Sequence, residues 1–210
     1  MTQSQLQEQL RSLRLGHFAQ ALLQQQSQAT TYDEMSFEER LGLLAQHEIH
    51  CRQDSKVKRL LRQATLRLEA HASRLEYRAE RGLRKDKVAT LLSGQYLHHA
   101  HNIIVTGATG CGKTYFACAL ARQACEQHHT VRYYRLGQLL DELNIGHADG
   151  SYRQQLAQLA KKKLLILDDW GMEKLSARQA NDLLDVMEER YQNTSTIIAS
   201  QLPVTEWYKL

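Results

Sequence analysis

The sequence predicts an α/β fold: a three-layer domain in which helices cover both faces of a parallel sheet, behind a small all-helical N-terminal domain. Three observations point there. A short apolar run, Ile103 to Thr106, passes into Gly107-Ala108-Thr109-Gly110-Cys111-Gly112-Lys113-Thr114, and a helical pattern at Tyr115, Ala119, Leu120 and Ala121 follows. A second apolar run, Leu164-Leu165-Ile166-Leu167, is unbroken, as expected of a parallel strand buried on both faces. Strand-like and helix-like segments alternate from the first run to Ser200, the signature of strand–helix–strand units.

Taken in order, residues 1–70 read as a helical domain. Leu6, Leu10 and Leu13, then Phe18, Ala21 and Leu22, recur at helical steps. Ser36 with Glu39 three residues on forms a capping box, opening a helix over Leu41, Leu44, Ala45 and Ile49. Asp54 or Ser55 then starts a third helix with Val57, Leu60, Leu61, Ala64 and Leu68 inward, and Lys56, Lys58, Arg59, Arg62 and Arg67 off that face. A unit this short is expected to dock on the core or on another subunit.

Residues 71–100 read as a basic connector, with a charged run from Arg78 to Lys87 and one short helix from Lys87 to Leu97. The core, 101–210, continues past the first strand and its helix with a strand at Thr130–Arg135, a helix at Leu136–Leu143, and a loop at Asn144–Ser151 containing Gly146 and Gly150. A helix at Tyr152–Lys162 leads into the second apolar strand. Ser176 caps a long helix with Leu183, Leu184, Val186, Met187 and Tyr191 inward, and Ser195–Ser200 is the last strand.

The formal charge of +4 hides an asymmetry. Cys51 to Lys87 holds 12 Lys/Arg against 5 Asp/Glu, a net of +7, whereas Leu91 to Leu210 holds 12 of each. A basic segment ahead of a neutral core fits a polyanion partner and puts Lys56, Lys58, Arg59 and Arg62 forward as contacts. Cys111, Cys118 and Cys125 are spaced by seven, which suits small residues near one helix face better than a zinc site. His98, His99 and His101 lie together without Cys or carboxylate ligands at metal-binding spacing. There is no secretory signal, and no apolar run nears the ~18 residues of a membrane span, so a reduced, cytoplasmic protein is expected.

The chemistry is concentrated in two places. Gly107, four residues, Gly112, Lys113 and Thr114 match a phosphate-binding loop in its required strand-to-helix setting. Gly107, Gly110 and Gly112 free the backbone, so that N–H groups from Gly107 through Ala108, Thr109, Cys111 and on to Tyr115 can face an anion at a helix start. Lys113 supplies a point charge for the β- and γ-phosphates of ATP, and Thr114 a hydroxyl for Mg²⁺. At the end of the second apolar strand, 55 positions after Lys113, stand Asp168 and Asp169. Asp168 can serve the Mg²⁺ shell, and Asp169 can polarise an attacking water. Gln201 ends the next strand. If that strand lies between the other two, its amide reaches the γ-phosphate or the water as a sensor, with Ser200 as the rival.

These motifs resemble the IstB-like branch of AAA+ ATPases, transposition helpers of insertion sequences related to DnaC helicase loaders. The resemblance rests on the loop and its continuation Tyr115-Phe116-Ala117-Cys118-Ala119-Leu120, on Leu164 through Asp168, Asp169, Trp170 and Gly171, and on Thr196 through Gln201 to Pro203. It also takes in Asp149-Gly150-Ser151-Tyr152, Arg74-Leu75-Glu76-Tyr77 and Arg81-Gly82-Leu83, and covers roughly residues 35–210. It implies an ATPase that binds ATP between subunits, assembles on double-stranded DNA into an ATP- and DNA-dependent oligomer, and presents target DNA to a partner transposase. It implies a DNA-touching helical insertion within 136–160, with Arg153 as a contact. Such proteins continue past this end with a fifth strand, an arginine finger and a helical lid. The lid is therefore expected to be absent here, and hydrolysis weak.

Two other readings stay open at this point. A DnaC-like loader would bind ATP, single-stranded DNA and a replicative helicase. A nucleotide-switched interaction protein would bind no DNA.

Overall fold

The computed structural model describes residues 2–77 and 82–209, which divide into two compact units between Lys58 and Arg59. Arg81, part of the basic connector, lies outside the described residues.

The first unit holds α1 (Gln3–Ser12), α2 (Gly16–Ser27), the single turn α3 (Ala29–Tyr32) and α4 (Phe37–Ala64) as far as Lys58. The expected capping box opens α4: the Glu39 N–H donates to Ser36 Oγ at 3.2 Å, and the Ser36 N–H donates to the Glu39 carboxylate at 2.7 Å. The expected third helix does not start separately, because α4 runs 28 residues straight through Asp54 and Ser55. No Gly or Pro interrupts residues 43–64, so a residue able to cap lies idle on an exposed face.

The buried side of α4 in this unit is Leu44 and Glu48, while Leu41 and Ile49, expected inward, are exposed. Glu48 is a buried carboxylate with two donors, the Phe18 N–H at 2.7 Å and Arg52 Nε at 2.6 Å. Burial alone would raise its pKa; the Arg52 and Phe18 bonds outweigh that and hold it below the usual glutamate value.

The second unit is built on a four-stranded parallel sheet in the order β1-β4-β3-β2, from β1 (Ile103–Thr106), β2 (Val131–Arg135), β3 (Leu164–Trp170) and β4 (Ser195–Ser200). β3 shows why the layers form. Side chains alternate across a strand, so Leu164 and Ile166 enter one core with α7 (Lys113–Glu126), while Leu165 and Leu167 enter another with α8 (Leu136–Asp149) and α10 (Ala177–Arg190). α7 lies close to the sheet because its buried side chains are mostly small: Ala117, Cys118, Ala119, Ala121, Ala124 and Cys125.

Residues 59–77 pack into the first of these cores through Leu60, Ala64 and Ala70. Two expectations for helices change here. The segment before β1 forms α5 (Lys85–Leu92) and α6 (Gln95–His98), split at Gly94 with φ +79°. α8 continues through the expected loop to Asp149 and stops at Gly150 with φ +80°.

α9 (Tyr152–Ala160) follows, and α10 starts on a capping box of Ser176 and Gln179. On α10, Leu184 is exposed, as is Tyr191 just past its end; Asp182 and Arg190 are buried instead. The Arg190 guanidinium donates to the carbonyls of Leu159, Lys162 and Ser195 and to Thr196 Oγ1. Burial pulls its pKa down to about 10, which leaves it charged near neutrality. Among the described residues, no helix is long and apolar enough to cross a membrane.

Candidate nucleotide-binding site

β1, β3 and β4 end at one edge of the sheet, and there the motifs meet. β4 does lie between β1 and β3, which brings Gln201 beside the glycine-rich loop. In such sheets, ligands bind outside the carboxyl ends of the strands. The edge holds a cleft of about 350 Å³, within the size of ligand sites. Thr109, Gly110, Gly112, Lys113 and Thr114 line it together with Asp168, Asp169 and Gln201.

The loop has the backbone the glycines predict. Gly110 and Gly112 sit at φ +78° and +94°, conformations strained for any side chain. Gly112 is also the N-cap of α7, so no side chain occupies the amides of the helix's first turn. Lys113 folds back: its Nζ donates to the carbonyls of Gly107 and Ala108 at 2.7 and 2.9 Å. Thr109 Oγ1 donates to Gln201 Oε1 at 2.6 Å, tying the loop to the end of β4. Ser200, the rival to Gln201, is fully buried and donates to the Trp170 carbonyl, so it faces the sheet and not the cleft. Cys111 lies on the loop's other side, lining a hollow with Leu75, Leu83, Tyr115 and Phe116.

Asp168 is 1% exposed and is the hub of the site. Its Oδ2 accepts from Thr114 Oγ1 and from the Tyr133 hydroxyl, both at 2.7 Å, and its Oδ1 accepts from the Asp169 N–H at 2.9 Å. Burial first, and then the bond to Asp168, push the pKa of Tyr133 up, so this hydroxyl stays a donor. Thr114 and Asp168 put two hard oxygens side by side, a donor set that fits Mg²⁺.

Asp169 has a left-handed backbone, φ +59°, a conformation that aspartate tolerates better than most non-glycine residues. Its Oδ2 pairs with Arg135 Nε at 2.7 Å and with Arg67 Nη1 at 3.5 Å. Both arginines are about half exposed, so each pair contributes at most about 1 kcal/mol to stability.

Three residues of this constellation were not foreseen: Tyr133, Arg135 and Arg67. Arg135 ends β2 in register with Asp168, a placement visible only once the strands are paired. Arg67 was expected on a basic helix face. Instead α4 stops at Thr65, with φ +50°, and the chain turns into the cleft. Tyr133's hydroxyl first, then Asp169 and Asp168, hold the Arg67 guanidinium above its usual pKa. The expected DNA contacts Lys56, Lys58, Arg59, Arg62 and Arg153 are all exposed, and none lines the cleft.

A glycine-rich loop at the end of β1, an acid pair ending β3 and the parallel order β1-β4-β3-β2 define a P-loop ATP-binding protein of AAA+ type. The chain belongs to the family of IstB-like ATP binding proteins, whose sequence pattern matches residues 8–210.

It is 46% identical, over 97% of its length and 87% of the relative's, to a protein of insertion sequence IS1162 from Pseudomonas fluorescens named for ATP binding. It is 39% identical, over 85% of its length and 73% of the relative's, to the insertion sequence ATP-binding protein y4pL of Sinorhizobium fredii. Among solved structures, AMPPCP-bound DnaA from Aquifex aeolicus shares the fold with a TM-score of 0.62 at 17% identity, over 68% of this chain and 45% of that one. The DnaC helicase loader does so with a TM-score of 0.51 at 22% identity, over 56% of this chain and 68% of that one.

Proposed function

We propose that this protein is an ATP-dependent helper of DNA transposition that assembles on duplex target DNA and engages a partner transposase. The observation that carries the reading is the cleft itself: phosphate loop, acid pair and Gln201 at one sheet edge, in a chain of a family whose relatives belong to insertion sequences. ATP lies along the loop. The backbone N–H groups of residues 107–115 face its phosphates, and Lys113 exchanges the carbonyls of Gly107 and Ala108 for phosphate oxygens. Thr114 and Asp168 would hold Mg²⁺, which would neutralise phosphate charge when bound. Asp169 takes the proton of the attacking water, making the protein an ATPase. Gln201, released from Thr109, reads the terminal phosphate.

DNA contacts come from Lys56 and Lys58 in the first unit and from Arg59, Arg62 and Arg153 in the second, all free of the cleft. Self-association on DNA supplies the rest of the working assembly.

The test is duplex-DNA binding with and without ATP at two salt concentrations, with particle size followed in the same samples. The reading expects larger particles only with ATP and DNA together, and affinity that falls steeply with salt as phosphate counterions are released. Salt-independent or undetectable duplex binding would refute it. A preference for single strands together with capture of a replicative helicase would favour the loader reading.

A further inference from the structure

The cleft contains an arginine from its own chain that neither the phosphate loop nor the acid pair calls for. Arg67 lines the cleft with Lys113 and Thr114. It is anchored rather than dangling. Just ahead of it, Leu66 packs against the core that buries the side chains of α7, Cys118 among them. Four residues past Arg67, the His71 N–H donates to the Tyr115 hydroxyl at 3.3 Å. The segment that carries Arg67 is thus bonded to the helix whose first turn forms the loop.

From this segment, we infer that Arg67 is a ligand of the nucleotide's terminal phosphate, supplied in cis, and that Asp169 holds it in place while the cleft is empty. This rests on the reading above that ATP occupies the cleft with its terminal phosphate toward the acids.

Three features support the assignment. First, the Arg67–Asp169 contact is long, 3.5 Å, and half exposed, so it is easily broken. Second, Asp169 does not need Arg67, because Arg135 already holds the same oxygen at 2.7 Å. Arg67 can leave without orphaning a carboxylate. Third, guanidinium has a planar fork of donors suited to bidentate phosphate binding, and Arg67 uses only part of it here, on Asp169. A triphosphate brings more negative charge to the cleft than the single carboxylate it would replace. ADP lacks the terminal group and leaves Arg67 on Asp169. The arginine therefore distinguishes ATP from ADP within one subunit.

The experiment measures dissociation constants for Mg·ATP and Mg·ADP by calorimetry on Arg67→Gln, Arg67→Lys and the parent protein. Arg67→Gln is expected to weaken ATP by about tenfold to a hundredfold and ADP by less than about threefold, with Arg67→Lys in between. Equal weakening of both nucleotides would mark a structural role, and no change would remove the assignment.

Asp169→Asn provides a route that does not depend on how the Arg67 variants fold. It should tighten ATP relative to ADP, and less so when combined with Arg67→Gln, because the two effects share one interaction. Strict additivity in that cycle would overturn the inference. Lys113→Ala in the same assay separates the two levels. If it keeps both nucleotides, the cleft reading itself fails. If it loses both while Arg67→Gln changes nothing, only the role of Arg67 fails.

Discussion

Asp168→Asn is the substitution whose consequences the geometry fixes most closely. Oδ1 must remain an acceptor, because the Asp169 N–H points at it from 2.9 Å. The carboxamide NH₂ then takes the place of Oδ2, facing the hydroxyls of Thr114 and Tyr133 that both donated there at 2.7 Å. The amide can donate to the two hydroxyl oxygens, but their own protons lose the acceptor they shared. Thr114 is part-exposed and can turn toward water. Tyr133 is 6% exposed and cannot do so freely.

An orphaned buried donor costs about 1–3 kcal/mol, and removing a buried charge offsets part of that. The net loss should be about 1–2 kcal/mol, or roughly 2–8 °C in melting temperature for a chain of this size. The variant should therefore fold.

What it should lose is the response to magnesium. ATP affinity, measured with Mg²⁺ and again with a chelator, should differ in the parent and agree in the variant, because the anionic oxygen beside Thr114 is gone. A variant that keeps the parent's magnesium dependence would refute the assignment of Asp168. A drop of more than about 5 kcal/mol would show the residue to be chiefly structural.

The other predictions are independent of that one. Asp169→Ala should bind ATP at least as well as the parent while turnover falls by about a hundredfold or more; unchanged turnover would place the proton acceptor elsewhere. Arg190→Met leaves three carbonyls and a hydroxyl without their shared donor, so thermal melting should show a loss of about 3–5 kcal/mol with no change in nucleotide preference. A loss under about 1 kcal/mol would mean that desolvation of the guanidinium cancels its bonds. Glu48 has a folded pKa below its unfolded value, so its contribution is present above the unfolded pKa and is lost as pH falls through the folded one. The stability gap between the parent and Glu48→Gln should therefore shrink between about pH 6 and about pH 3; a gap that widens on acidification would contradict the bonds to Phe18 and Arg52.

What could be read from the chain before folding, and what could not, follows the reach of each signal. The loop from Gly107 to Thr114 and the acids after Leu167 are contiguous patterns, and their strand-to-helix and strand-end settings are local, so they were legible. Ser36 with Glu39 was legible for the same reason.

Gly146 misled because it was read as a breaker. It sits inside α8 with the Gln155 amide against it, and the helix stops four residues later at Gly150. Arg67 was misplaced because the apolar period runs on to Leu68, past the true stop at Thr65, which carries no glycine to announce it. Arg135 needs the β2–β3 register. Asp182 and Arg190 on α10 need partners from other elements before burial is affordable. In each of these the missing information is a pairing between distant segments, which no local period contains.

Those same pairings suggest how the site could signal. Asp168 Oδ2 joins Thr114, at the start of α7, to Tyr133, on β2. A carboxylate oxygen serving two hydroxyls cannot also meet a new ligand at full strength. Engagement of Thr114 and Asp168 by a metal-bound nucleotide must therefore loosen at least one of these bonds. If the displaced group is Tyr133, it lies on β2, outside the phosphate loop itself. Two discrete hydrogen-bond arrangements around one buried acid, each satisfying its donors differently, make a switch with a physical basis. Its position fits an ATP-dependent change at surfaces remote from the nucleotide, as the assembly proposed above would require. Tyr133→Phe is the direct probe: it leaves the acid and the loop intact while removing the link. It should preserve ATP binding within about threefold and weaken any ATP-dependent change in particle size. ATP-driven assembly unaltered in this variant would show that the message leaves the cleft by another route.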